Sequence, residues 1–265
     1  MNALKMVLYC LLGFFGYFAV KHLIVDYTST ARMQGEAERS FEQVAMTRKN
    51  FVYMKRYFPE LFSTVKHEFG KQVVEYCSIN QCTGQLDARA AIEISAKSNQ
   101  KIVSFLKSKM DQLGSFPDKN ISLILDSTLA EHKYVRSAHG AKACQILSIH
   151  GQTPMYQAFP HLNKDPKLRD HTDSTVALLL QAISAAGNAS KPQQPVVQRD
   201  YDLVAAQYQR LGGDIDALAN LASSDADPTA VCKAAITYVS SIKRLDNPEK
   251  RRLSLEVVAG LMGGT

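Results

Sequence analysis

Five side chains between positions 161 and 173 have the chemical types that enzymes and metal sites use. They are two histidines and three aspartates, namely His161, Asp165, Asp170, His171 and Asp173. Imidazole and carboxylate groups bind metal ions and transfer protons, and functional side chains are often carried on long loops. One hypothesis for this sequence is therefore a metal-dependent or acid–base hydrolase that uses the His161–Asp173 region.

The same residues have a structural interpretation. Asp170 and Asp173 lie where we predict a helix to begin, and carboxylates there cap the free N–H groups and interact favourably with the helix dipole. We favour this interpretation and assign no catalytic, cofactor-binding or metal-binding residue.

Three further histidines lie along one predicted helix, at positions 132, 139 and 150. Spacings of seven and eleven residues are close to whole numbers of helical turns, so His132, His139 and His150 are predicted to share one face with many apolar residues. Neighbouring members are about 10 Å and about 16 Å apart along a straight helix, too far to bind one ion. We expect core or half-buried histidines, with a pH-responsive seam as the alternative.

The motifs of the large enzyme families are missing from the sequence. There is no Walker loop, no glycine fingerprint for a dinucleotide and no G-x-S-x-G nucleophile turn. We therefore expect no cofactor. We leave open whether the protein is an enzyme, and we favour a protein that is not one.

Four cysteines outside the N-terminal segment form an even set: Cys77, Cys82, Cys144 and Cys232. We predict that Cys77 pairs with Cys82 across a tight turn, and that Cys144 pairs with Cys232 between two helices. Disulfides persist in oxidising compartments, so these pairs favour a location outside the cytoplasm.

The N-terminal segment is the most hydrophobic part of the chain. Residues 4–25 contain two charged side chains, Lys5 near the start and Lys21 near the end, and these 22 residues are long enough to cross a bilayer if Lys21 extends to the interface. We predict a single-pass membrane anchor, with a cleaved signal peptide and a buried helix as alternatives. Basic residues flank both ends about equally, so the orientation rests on the cysteines, and we place the bulk of the chain outside the cytoplasm.

The rest of the sequence shows helical spacing of apolar residues and no sustained strand alternation. We predict an all-α protein with one N-terminal transmembrane (signal-anchor) helix and a multi-helix soluble domain of about seven or eight helices. The expected divisions are an anchor or uncleaved signal at 1–25, a helical domain at 26–186, a linker-like stretch at 187–197 and C-terminal helices at 198–265 packed on the preceding domain.

Several boundaries follow from local signals. A long charged helix is predicted over residues 31–57, and a helix of some thirty residues is predicted to end at Gly151. The three prolines within 151–170 predict an extended loop, followed by a helix over 172–186. Asp227-Pro228 and Asn247-Pro248 each place a capping side chain before a first-turn proline, which predicts two further helix starts.

Composition and charge limit the classes of partner. The formal net charge is +6, but residues 32–71 carry eight basic and five acidic side chains, a mixture typical of solvated helix faces. Tryptophan is absent. The leading hypothesis is a membrane-anchored extracytoplasmic protein that acts by binding other protein subunits, for example as one subunit of an envelope assembly. A binder of anionic lipid or nucleic acid through its basic helices is the alternative, and nucleic acid is the less expected of the two.

Overall fold

A computed structural model describes residues 30–80, 88–191, 193–219 and 226–262, and within these ranges the chain is helical without any strand. The α-helices are α1 (Thr30–Ala45), α2 (Lys49–Tyr57), α3 (Pro59–Asn80), α4 (Ala88–Lys107), α5 (Asp118–His150), α6 (Gln152–Ala158), α7 (Pro166–Ala186), α8 (Gln198–Arg210), α9 (Ile215–Ala219), α10 (Pro228–Lys243) and α11 (Glu249–Met262). Two 3₁₀ helices cover Met110–Ser115 and Pro160–Lys164. The all-α prediction is confirmed for this part of the chain.

Helix α7 is central because it packs against both α2 and α5. On one side, α1, α3 and α4 lie in sequence against one another, and on the other, α10 and α11 pack on α5. The main hydrophobic core runs through these layers and includes a group of contacting phenylalanine rings, Phe41, Phe51, Phe62 and Phe69. Phe41 contacts the other three, with ring centroids 5.2–6.0 Å away, so α1, α2 and α3 are fixed around one aromatic cluster.

A smaller core surrounds the disulfide between Cys144 on α5 and Cys232 on α10, whose Cα atoms are 5.5 Å apart. This is the pairing predicted from the sequence. It closes a loop with a sequence separation of 88, which corresponds to about 4.5 kcal/mol of stabilisation in the chain-entropy model. Cys77 is also a disulfide cysteine, whereas its predicted partner Cys82 lies outside the described residues.

The prediction of one helix over residues 31–57 is wrong, because the chain forms two helices there. The Thr47 hydroxyl donates to the Val44 carbonyl (2.7 Å), and Arg48 has an extended backbone (φ −120°, ψ 130°). These conformations interrupt the helical hydrogen-bond ladder after Ala45, and the chain changes direction before Lys49.

The extended loop predicted for 151–170 is also wrong. The segment contains α6, a 3₁₀ helix and the first turn of α7. Its prolines, Pro154, Pro160 and Pro166, each lie in the first turn of one of these helices, where a missing N–H costs nothing. The helix predicted over 172–186 accordingly begins six residues earlier, at Pro166, and it ends at Ala186 before Gly187 as expected.

Helix α5 reaches Gly151 as predicted, but it is interrupted at Gly140 (φ 87°, ψ 172°). That positive φ favours glycine, and it divides α5 into two pieces. With the break after α1, the extra helices in 151–170 and the short α9, the described residues form eleven α-helices instead of seven or eight.

The predicted membrane anchor at 1–25 lies outside the described residues. Among the helices of the described ranges, none combines the length and the apolar character needed to cross a bilayer.

Candidate functional site

The five candidate side chains of the 161–173 segment do not converge on one site. His161 is exposed beside Phe159, and Asp170 is exposed in an ion pair with Lys49 on α2 (2.7 Å). Asp165, His171 and Asp173 point into contacts with other helices. Within the described ranges, no group of three or more His, Cys, Asp or Glu side chains is arranged to hold a metal ion.

Asp165 is the N-cap of α7. Its Oδ1 accepts hydrogen bonds from the backbone N–H groups of Lys167 (2.8 Å) and Leu168 (3.1 Å). Its Oδ2 accepts from the Tyr134 hydroxyl and from Nε2 of His139, both at 2.7 Å. The cap of this helix is therefore Asp165, and the assignment of Asp170 and Asp173 as capping residues is wrong, because both lie inside the helix.

The electrostatics of Asp165 match a structural role. Burial alone raises the pKa of this carboxyl, but the hydrogen bonds from Tyr134, Leu168 and His139 outweigh it and hold the pKa below its ordinary value. The bond to Asp165 raises the pKa of Tyr134 to about 12. A carboxylate that already accepts four hydrogen bonds is poorly suited to take a proton from a substrate.

The three histidines predicted to share a face of α5 do not do so. His132 is half-buried, with Nδ1 2.9 Å from the Thr128 carbonyl, and burial lowers its pKa. His139 faces Asp165, whereas His150 is exposed. The break at Gly140 separates His150 from the other two, since it changes the direction of the helix between His139 and His150.

A buried polar cluster joins α5, α6 and α7 and was not predicted from the sequence. Glu131, Gln152 and Thr172 are all nearly inaccessible to solvent. The Gln152 amide donates to Glu131, the Thr172 hydroxyl also donates to Glu131 (3.1 Å), and the Gln152 Nε2 lies 2.7 Å from the Thr172 Oγ1. Burial raises the pKa of Glu131 to about 7, against the lowering effect of these hydrogen bonds.

Next to this cluster lies a buried ion pair between Arg48 and Asp173. The guanidinium makes two hydrogen bonds to the carboxylate, one from Nε at 2.7 Å and one from the terminal nitrogen, and the two side chains are 5% and 6% exposed. Burial raises the pKa of Asp173, and Arg48 opposes that effect. The extended backbone at Arg48, in the break between α1 and α2, directs its side chain to α7.

An open groove of about 580 Å³ lies between α2 and α7, above this ion pair. Its apolar and aromatic lining includes Val52 and Tyr57, which are 47% and 44% exposed, large fractions for such residues. Tyr57 stacks on Tyr53, with ring centroids 4.3 Å apart. The full lining is Met46, Thr47, Arg48, Lys49, Val52, Tyr53, Arg56, Tyr57, Ser174, Ala177, Leu178 and Gln181. It contains three cationic side chains and no carboxylate, and we call it the α2–α7 groove.

The chain matched no protein-family model, no curated protein and no solved structure in comparisons with known proteins.

The residues that build this region were only partly recognisable in the sequence. Asp165-Pro166 has the same pattern as Asp227-Pro228, where Asp227 caps α10 by accepting from the Ala230 N–H (2.8 Å). That signal predicts the start of α7 at Pro166, six residues before the start expected from the apolar spacing. The pairing of Arg48 with Asp173, which are 125 residues apart, has no local signal.

Proposed function

We propose that this is a membrane-anchored helical protein that acts outside the cytoplasm by binding another protein, and that the α2–α7 groove is its binding surface. The observation that carries the proposal is the groove itself, where aromatic and aliphatic side chains face solvent in a concavity between two helices. Exposed apolar surface of this kind is typical of protein-binding sites.

The side chains of the groove are preorganised for binding. Its floor is held by the buried Arg48–Asp173 pair and by α7, which is packed on its other side against α5. The stacked Tyr53 and Tyr57 rings on α2 have few rotatable bonds, so a partner would order them at small entropic cost. A rigid floor with rigid aromatic walls favours recognition of another macromolecule.

Sequence and structure support the location in different ways. The uncharged run at 6–20, within the apolar segment 4–25, supports a membrane anchor. The disulfide between Cys144 and Cys232 supports an oxidising compartment for the helical part. Together they support a single-pass protein with its helices outside the cytoplasm.

Binding is favoured over hydrolysis by what the polar side chains of the 161–173 segment already contact. Asp165 caps α7, Asp173 neutralises Arg48, and Asp170 faces Lys49. The His139–Asp165 contact is the arrangement closest to an acid–base pair. The Asp165 carboxylate, however, already accepts hydrogen bonds from the first turn of α7 and so stabilises the start of that helix. The hydrolase hypothesis is therefore the weaker of the two.

The test is co-purification of the full-length protein from membranes in mild detergent, comparing two substitutions of the same chemical type. Val52→Asp places a charge in the groove, and Ile79→Asp places one at an exposed position of α3 outside it. We expect a protein identified by mass spectrometry to be lost from Val52→Asp and retained by Ile79→Asp, and to rebind the purified wild type. Equal recovery with both variants would exclude the groove as the binding surface.

A further inference from the structure

The charge of the α2–α7 groove distinguishes it from another cleft among the described residues, which we call the second cleft. The second cleft, between α3 and α4, is lined by two acidic and two basic side chains, Glu68, Glu75, Lys97 and Lys101, together with neutral ones. The charged side chains that line the α2–α7 groove are all cations, and two of them, Arg48 and Lys49, pair with carboxylates of α7 outside the lining. Surfaces with one sign of charge select partners of the opposite sign and increase their rate of association.

The three cations of the groove differ in how available they are. Arg48 is neutralised by Asp173 at the floor. Lys49 pairs with Asp170, but those side chains are 65% and 60% exposed, so a partner can replace this weak pair at little cost. Arg56 lies with its guanidinium carbon 5.2 Å from the Tyr57 ring centroid, and within the described ranges no carboxylate is at salt-bridge distance from it. The available charge is thus at the rim, next to apolar surface.

The shape of the groove favours a helical ligand. In the described part of the chain there is no strand, and so no strand edge to which an extended peptide could add. Helix α2 has nine residues and is about 13.5 Å long, which matches two to three turns of a helix lying against it. On the α7 wall, Ser174 and Ala177 are small and lie one turn apart, which allows a ligand helix to approach closely.

We infer that the ligand of the α2–α7 groove is an amphipathic helix of a partner protein, with an apolar face flanked by carboxylates. The apolar face contacts Val52, Tyr57 and Leu178, and the flanking carboxylates pair with Lys49 and Arg56. This inference rests on the proposed function, since it specifies the partner of the same groove.

Anionic lipid is the other ligand that cations beside aromatic rings can recognise. Binding at a bilayer surface requires apolar side chains that protrude into it, whereas here they line a concavity. The observations therefore favour a protein helix, and lipid is one of the outcomes of the test.

The first test uses a phage-displayed library of amphipathic helices with a fixed apolar face and random flanking positions. It is selected on full-length wild-type protein in nanodiscs of neutral phosphatidylcholine and counter-selected on the Val52→Asp variant. We expect Asp and Glu to exceed Lys and Arg at the flanking positions by several-fold after selection. Enrichment of helices without an acidic excess would overturn the inference while leaving the groove as a binding surface, and recovery of no helix at all would overturn the inference as well.

The second test reverses charge at matched positions. The double variant Lys49→Glu/Arg56→Glu is expected to weaken binding of a selected acidic peptide by about tenfold or more and to strengthen binding of its Lys-flanked counterpart. Lys97→Glu/Lys101→Glu makes the same charge change in the second cleft and is expected to leave both affinities unchanged.

A vesicle-binding experiment distinguishes a protein ligand from a lipid ligand. The full-length protein, reconstituted in neutral nanodiscs, is mixed with vesicles of phosphatidylcholine with or without phosphatidylserine. We expect no capture of either vesicle through the groove. Capture of the phosphatidylserine vesicles that disappears in Lys49→Glu/Arg56→Glu would assign the groove to anionic lipid and overturn the inference.

Discussion

Two sets of side chains on α7 make opposite kinds of contact. Towards the start of the helix, the cap Asp165, Thr172 and Asp173 each make hydrogen bonds to other parts of the same chain. In the C-terminal half, Ala177, Leu178 and Gln181 line the open groove. A buried carboxylate needs hydrogen-bond partners within the fold, whereas side chains that line an open groove are available to contact another molecule. One helix thus contains both a stabilising region and a candidate binding region.

The largest expected difference concerns two adjacent basic residues, one paired with a buried and the other with an exposed carboxylate of α7. Arg48→Met leaves Asp173 buried without its partner and should lower the free energy of unfolding by about 3–5 kcal/mol. Lys49→Met removes the exposed pair with Asp170 and should cost less than about 1 kcal/mol. Denaturant unfolding of the full-length protein, followed by circular dichroism, measures both.

Equal losses from these two substitutions would contradict the distinction between the buried and the open region. The double variant Arg48→Met/Asp173→Leu is the control. It removes both charges, so it should recover much of the stability that Arg48→Met loses.

The second expected effect depends on pH. The pKa of Glu131 is raised from 4.5 to about 7, so the folded protein binds a proton that the unfolded chain has released between those pH values. The contribution of Glu131 to stability therefore falls as the pH rises from 4.5 to 7 and is lowest above 7. Glu131→Gln removes this titration and should stabilise the protein by about 3 kcal/mol at pH 8, with the difference decreasing towards pH 5.

Thermal unfolding of the wild type and Glu131→Gln across this pH range tests the sign as well as the size. The matched control is Glu75→Gln, which changes an exposed carboxyl on α3 in the same way and should have little effect at any pH. A Glu131→Gln variant that is less stable than the wild type above pH 7 would show that the ionised carboxylate is satisfied inside the fold.

The smallest expected effect is in the groove. Val52→Asp should change the free energy of unfolding by no more than about 0.5 kcal/mol, because the Val52 side chain is 47% exposed and its surroundings are open. Denaturant unfolding gives this value. A loss of several kcal/mol would mean that the groove wall is part of the folded core, and the loss of a partner in this variant would then have another explanation.

Local signals determined much of the fold before any tertiary contact was considered. Helical spacing of apolar residues gave the helix class, and Gly151 and Gly187 marked two helix ends correctly, since glycine accepts the conformations that terminate a helix. The sequence also predicted the pair Cys144–Cys232, because Cys77 and Cys82 are close enough in sequence to pair with each other. Asp165-Pro166 carried enough information to predict the start of α7.

Tertiary structure alone decided the contacts between distant segments. Nothing near Arg48 in the sequence distinguishes it from the solvated basic residues around it, and Asp173, its partner 125 residues later, resembled a helix cap. The positive φ of Gly140 separates His139 from His150, and a single sequence does not specify it, since glycine is tolerated inside helices. The groove likewise exists only because the chain changes direction at 46–48, so that α2 packs against α7. Helix formation depends on neighbours within a turn or two, whereas burial, ion pairing and concavity depend on which helices come together.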